Sequence, residues 1–158
     1  MAPMRATAAG LPDPSIYKAW ISDTTTDAID RFQHLGPVTR LDGVKVAHSL
    51  GDLVDGQLLA SLNVSDTDVY LGHHAVWTAT GADGRLSSGA SCTDWTSNST
   101  EVWAWEGAAD GTDATWTKQW FQACNSTIPR LYCIGDSSVI FSASFLFGDT
   151  SAWSDTVP

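Results

Sequence analysis

The residues best suited to chemistry lie between Thr96 and Lys118, where Trp103, Trp105 and Trp116 are interspersed with Glu106, Asp110 and Asp113. An indole offers a flat apolar face to a sugar ring, and a carboxylate accepts hydrogen bonds from hydroxyls or helps hold a hard cation. The segment is rich in Ser, Thr, Gly and Asp and keeps neither a helical nor a strand period, so it reads as a long irregular loop. Loops on a rigid scaffold are where binding residues concentrate. These six side chains are therefore the candidate ligand contacts, whereas Trp20, Trp77 and Trp95 read as core.

The remaining reactive side chains form no recognisable catalytic pattern. No nucleophile elbow, zinc-protease helix motif, phosphate loop or dinucleotide fingerprint occurs, so the expectation is a non-enzyme that needs no cofactor. A glycan hydrolase using two loop carboxylates is the enzymatic alternative. His73 and His74 are adjacent, which on a strand sends them to opposite faces, and Asp66, Asp68, Asp110 and Asp113 read as turn formers; no metal site is expected. Cys92, Cys124 and Cys133 lack the spacing of a zinc ribbon or redox pair, which favours a disulfide, with one cysteine left over. Three reduced core cysteines are the alternative. Asn63, Asn98 and Asn125 each begin an Asn-x-Ser/Thr triplet and would accept glycans in a eukaryotic secretory pathway.

A chain of 158 residues with 43% apolar and 16% charged side chains is expected to form one domain with one substantial core. The net charge of -10 repels phosphate backbones and anionic lipid, so nucleic acid is not an expected partner. The longest apolar-rich stretch, Val139 to Phe147, is interrupted by serines and is too short to cross a membrane, so membrane insertion is not expected either. Sixteen of the eighteen acids are Asp, a residue that competes with helical backbone and favours caps and turns. With 17 Ser and 17 Thr, this composition points to a loop-rich, β-containing surface.

The elements that must position the candidates follow from local patterns. Residues 4–9 are helix formers stopped by Gly10 and Pro12, and Tyr17 to Ile21 reads as a strand. Asp27 to Leu35 reads as a short helix. Val38 to Val46 places Asp42-Gly43 between two β-prone runs, which predicts a hairpin with a type I′ turn. Ser49 to Leu62 is Leu-rich but broken by Gly51 and Gly56, which predicts a helical turn or a packed loop. Ala75 to Thr80 and Arg85 to Trp95 flank a Gly-Ala-Asp-Gly turn and read as a second antiparallel pair. Pro129 to Ile134 and Ser138 to Phe147 read as terminal strands.

Several stretches, in order, carry a resemblance: Arg5 to Leu11 (RATAAGL), Tyr17 to Ser22 (YKAWIS), Leu41 to Gly43 (LDG), Val76 to Thr96 (VWTATGADGRLSSGASCTDWT), and Cys124 followed by Arg130 to Ile134 (RLYCI). Together they span roughly residues 5 to 135 and resemble the endostatin-like branch of the C-type-lectin-like fold, which includes bacterial secreted domains of largely unknown function. The resemblance implies an α+β fold of short, mostly antiparallel strands with one or two helices and a long loop region. It further implies two nested bridges. By position, Cys92 and Cys124 are the inner pair, and Cys133 is the outer cysteine whose mate falls near Ala2, where there is none. Cys133 would then be a buried thiol outside the bridge, and the chain would begin inside the family's first helix. The calcium triplets of sugar-binding C-type lectins are missing, as are the arginine clusters and N-terminal histidines of endostatins, so calcium-mode sugar binding and heparin affinity do not carry over.

The expected function is a secreted or surface-displayed module that recognises a glycan or a protein through the tryptophan-bearing loop. No export signal is visible in Met1 to Leu11. A structural or assembly role is the second reading, with residues 138–147 adding as a strand to a neighbour's sheet.

Overall fold

This computed structural model describes residues 13–33, 36–136 and 139–143. The chain forms two sheets of short strands joined by turns. The larger sheet has the order β1-β7-β8-β2-β3, built from Tyr17–Ala19 (β1), Leu131–Gly135 (β7), Val139–Ala143 (β8), Val38–Arg40 (β2) and Lys45–Ala47 (β3). Its pairings are antiparallel except β2 with β8. The smaller sheet is the antiparallel order β4-β5-β6, from Ala75–Trp77 (β4), Trp103–Ala108 (β5) and Trp120–Ala123 (β6). Arg130, just ahead of β7, bonds both Ala75 and Trp77 and so ties the sheets together. With two four-residue helical turns and three 3-10 turns, the described residues form an α+β architecture of mostly antiparallel strands.

Two apolar clusters fill the interior. Trp20 and Trp116 pack at 5.3 Å with their planes tilted by 37° in the first, beside Tyr132, Phe32, Leu53, Leu62 and Val76. Trp77 and Trp95 meet edge-on at 6.0 Å in the second, beside Cys92, Ala104 and Leu131. The three tryptophans expected to be core are buried. A buried polar seam joins the clusters. Trp20 Nε1 donates to Thr117 Oγ1 (3.0 Å), which donates to the Thr80 carbonyl (3.2 Å), and Trp95 Nε1 donates to the Ser22 carbonyl (2.9 Å). Burying an indole N–H without a partner costs free energy, so these bonds fix where each ring sits.

Several local expectations shift. The Asp42-Gly43 hairpin forms, but only Gly43 is left-handed (φ 81°). The loop Leu41-Asp42-Gly43 is a three-residue connection, closed by Gly43 N–H to the Arg40 carbonyl and Arg40 N–H to the Val44 carbonyl. Asp42 accepts both Arg40 Nε (3.0 Å) and Nη2 (2.6 Å), which ties the carboxylate of the turn back to β2. The short helix over 27–35 reduces to the 3-10 turn Ile29–Arg31. Leu50–Leu53 is the expected helical turn, capped by Ser49. The pairing expected between 75–80 and 85–95 shrinks to one bridge, Thr80 with Leu86, because β4 takes β5 as its neighbour. Among the described residues β8 pairs with β7 from Ile140 to Ala143 and with β2 at Val139 and Ile140, so it lies inside the sheet order. The helix expected over 4–9 and residues 144–147 lie outside the described residues.

Candidate functional site

The segment read as an irregular loop contains the central strand of the smaller sheet. In β5 the side chains alternate: Trp103 is exposed, Ala104 buried, Trp105 half-buried and Glu106 buried. Trp103 and Trp105 therefore share one face, while Ala104 packs into the second apolar cluster. The period was hidden because the next two residues, Gly107 and Ala108, are both buried. Gly107 is the point where the turn Ala114–Trp116 crosses the strand: a Cβ there would lie 2.0 Å from the Trp116 carbonyl oxygen.

The neighbouring strand β6 completes an aromatic surface. Phe121 stands opposite Trp105 in register, and its ring meets Trp103 edge-on at 5.8 Å and Trp105 edge-on at 5.3 Å. Trp120 stacks on Phe121, 5.8 Å away with planes 5° apart. Lys118 Nζ lies 4.4 Å from the Trp105 ring centroid, within cation–π range. Trp103 (44%), Trp120 (63%) and Phe121 (42%) remain well exposed. Such a contiguous patch marks an interaction surface, since scattered apolar residues need no explanation but a cluster of large ones does.

A strained turn and a covalent bridge hold this surface in place. Cys92–Trp95 is a left-handed helical turn, with φ between 52° and 65° at all four residues. Ser91 Oγ accepts the Asp94 N–H (3.2 Å), and the Asp94 carboxylate accepts Thr24 N–H (2.9 Å), the Thr24 hydroxyl and the Ser91 hydroxyl (3.1 Å). The Thr24 hydroxyl bond leads the effects that lower the Asp94 pKa. Cys92 at the head of the turn is bonded to Cys124, just past β6, with Cα atoms 5.6 Å apart. Cys124 N–H also bonds the Val102 carbonyl (2.9 Å), and Ser91 bridges Ala104. Cys133 remains a thiol, buried in β7.

Beside Trp103 the turn and the start of β5 leave an open cleft of about 430 Å³. Thr24, Ser91, Thr93, Glu101, Val102 and Trp103 are among its walls.

The candidates are not all brought together. Trp103 and Trp105 share the aromatic face. Trp116 is 0% exposed in the first apolar cluster, its carbonyl accepting the Tyr132 hydroxyl at 2.9 Å, so it is a core residue and not a ligand contact. Glu106 is 9% exposed and its Oε2 has no hydrogen-bond partner among the described residues. Burial raises its pKa, and the charge of His73 opposes that rise. Asp110 bonds His73 Nδ1 at 2.9 Å. Asp113 caps the Ala114–Trp116 turn through Thr115 N–H (3.0 Å), and the bonds from Thr115 lower its pKa. These two aspartates belong to the segment after β5, beyond the Gly107 crossing, so they serve turns and not the aromatic face. Of the triplet asparagines, Asn98 and Asn125 are exposed, while Asn63 is half-buried with Oδ1 accepting the Ser61 hydroxyl. Trp120 and Phe121 escaped the sequence reading. Their signal was an adjacent aromatic pair flanked by Gln119 and Gln122, directly ahead of Cys124.

Among the described residues no group of three or more His, Cys, Asp or Glu side chains is arranged to hold a metal ion, and no helix is long and apolar enough to cross a membrane. No protein-family model and no curated protein matches the chain.

Proposed function

We propose that the protein is a non-enzymatic binding module that recognises a glycan through the aromatic face of β5 and β6. The observation that carries this is the group of exposed rings, Trp103, Phe121 and Trp120, held on two paired strands and backed by Trp105. Flat indole and phenyl faces suit the apolar faces of sugar rings, and Lys118 and Gln119, exposed on the approach to β6, suit hydroxyls. Strand placement fixes the rings before ligand arrives, which limits the ordering cost of binding. The proposal includes the endostatin-like, C-type-lectin-like assignment, with which the α+β architecture is compatible. The Cys92–Cys124 bridge supports a secreted or cell-surface location, since disulfides persist in oxidising compartments.

The test is a glycan array read with the parent chain and with Trp103→Ala, Trp120→Ala and Phe121→Ala, each checked for an unchanged melt. Binding that falls at least tenfold in the variants supports the reading. An array with no response, or binding indifferent to all three substitutions, overturns it. A response only to extended peptides, paired along β6, would assign the face to protein recognition instead.

A further inference from the structure

Resting on the glycan reading above, we infer that the cleft beside Trp103 is a subsite for a sugar carrying a protonated amine, so that the module prefers amino glycans to their N-acetylated forms. The cleft holds about 430 Å³, room for one ring with its substituents. Trp103, Ser91, Thr93 and Thr24 are among its lining residues, one aromatic ring and three hydroxyls. Among the described residues lining it, Glu101 is the one charged side chain, and it is exposed, accepting the hydroxyl of its neighbour Thr100 at 3.2 Å. The carboxylate of Asp94, hydrogen-bonded to the lining residues Thr24 and Ser91, adds a second negative charge close by. Arg31 and Arg85, on neighbouring segments, are tied to Asp23 and Asp27 and do not offset that field.

An ammonium group in this cleft gains an ion pair with Glu101 and the attraction of the Trp103 ring, while a sugar carboxylate or sulfate is repelled. A net charge of -10 acts in the same direction at longer range. The chemistry of the walls thus selects on charge, and the aromatic face of β5 and β6 selects on ring shape.

The experiment is calorimetric titration, at low ionic strength and mildly acidic pH, of a β-1,4-linked glucosamine oligomer and of its fully N-acetylated counterpart. We expect the amino oligomer to bind roughly five- to tenfold tighter, the size of one exposed ion pair plus one cation–π contact. Glu101→Gln should cut that preference to the roughly two- to threefold left by the Trp103 ring, the loss falling on the amino oligomer; Trp103→Ala should weaken both. Equal affinities, a reversed order, or a preference undiminished by Glu101→Gln overturns the inference. So does an equal response to an oligolysine peptide, which has the charge but no ring. If neither oligomer binds while the array still reports other glycans sensitive to Trp120→Ala and Phe121→Ala, the subsite falls and the glycan reading stands. Silence in both experiments removes both.

Discussion

Replacing Cys92 and Cys124 by serine together removes the covalent tie between the left-handed turn and the end of β6. The two cysteines are 32 residues apart in sequence, and chain entropy for a loop of that length makes the bridge worth about 3.7 kcal/mol at room temperature. For a chain of 158 residues each kcal/mol moves the melting temperature by about 2–4 °C, so the double variant should melt roughly 7–15 °C lower. A second consequence comes from the turn. Four successive non-glycine residues with φ of 53°, 54°, 52° and 65° each carry a left-handed penalty of about 1–2 kcal/mol. Such a conformation persists only where its surroundings over-determine it. Without the bridge, the constraints left are non-covalent, among them the Asp94 bonds to Thr24 and Ser91, the Ser97 N–H bond to the Cys92 carbonyl and the Trp95 Nε1 bond to the Ser22 carbonyl. The turn should therefore loosen below the global melt and take the Trp77–Trp95 pair with it. Calorimetry gives the first quantity and near-ultraviolet circular dichroism the second. A melt lowered by under about 3 °C, with the tryptophan signal intact, would refute the claim that the bridge holds the turn and the aromatic face.

Three further outcomes are expected. Thr93→Gly should raise stability by about 0.5–1 kcal/mol, because glycine escapes most of the left-handed penalty at the cost of its own unfolded-state entropy; chemical denaturation that shows a loss would contradict the strained turn. Gly107→Ala should cost about 3 kcal/mol, since the added Cβ meets the Trp116 backbone and strand and turn must part; a neutral result in the same assay would show that the crossing yields freely. Glu106 has a raised pKa from burial, so its contribution to stability is fully present below the unfolded glutamate value near 4.3 and is lost as pH rises through the higher folded value. Glu106→Gln should therefore flatten the decline in melting temperature as pH rises from the unfolded glutamate value, and identical pH profiles for parent and variant would show that this carboxyl has the same pKa folded and unfolded.

The two hydrogen-bonded acids of the Arg40 and Ser91 turns carry the opposite dependence. Asp42, held by its hydrogen bonds from the Arg40 guanidinium, is lowered to about 2. Its stabilising contribution is present above the unfolded aspartate value and lost as pH falls through that figure. The acid limb of the stability profile therefore reports on these turns, and the opposing decline above the unfolded glutamate value on the buried Glu106.

Residue chemistry by itself determined what is local. Apolar patterning marked β1, β7 and the hairpin of β2 and β3, because alternation and an Asp-Gly turn act over a few residues. Net charge set the expectation that an anionic partner is repelled, and the pairing of Cys92 with Cys124 that the family resemblance implied matches the structure. Only the tertiary structure decided the partners of β4, the burial of Trp116 and the grouping of the Trp103, Phe121 and Trp120 rings. Trp103 and Trp116 are the same side chain in the same Ser/Thr-rich segment. One lies outside because β5 alternates there, and the other lies inside because Gly107 lets a turn cross the strand at backbone contact. Exposure is a property of what packs against a residue from distant parts of the chain, and no period within the segment encodes it.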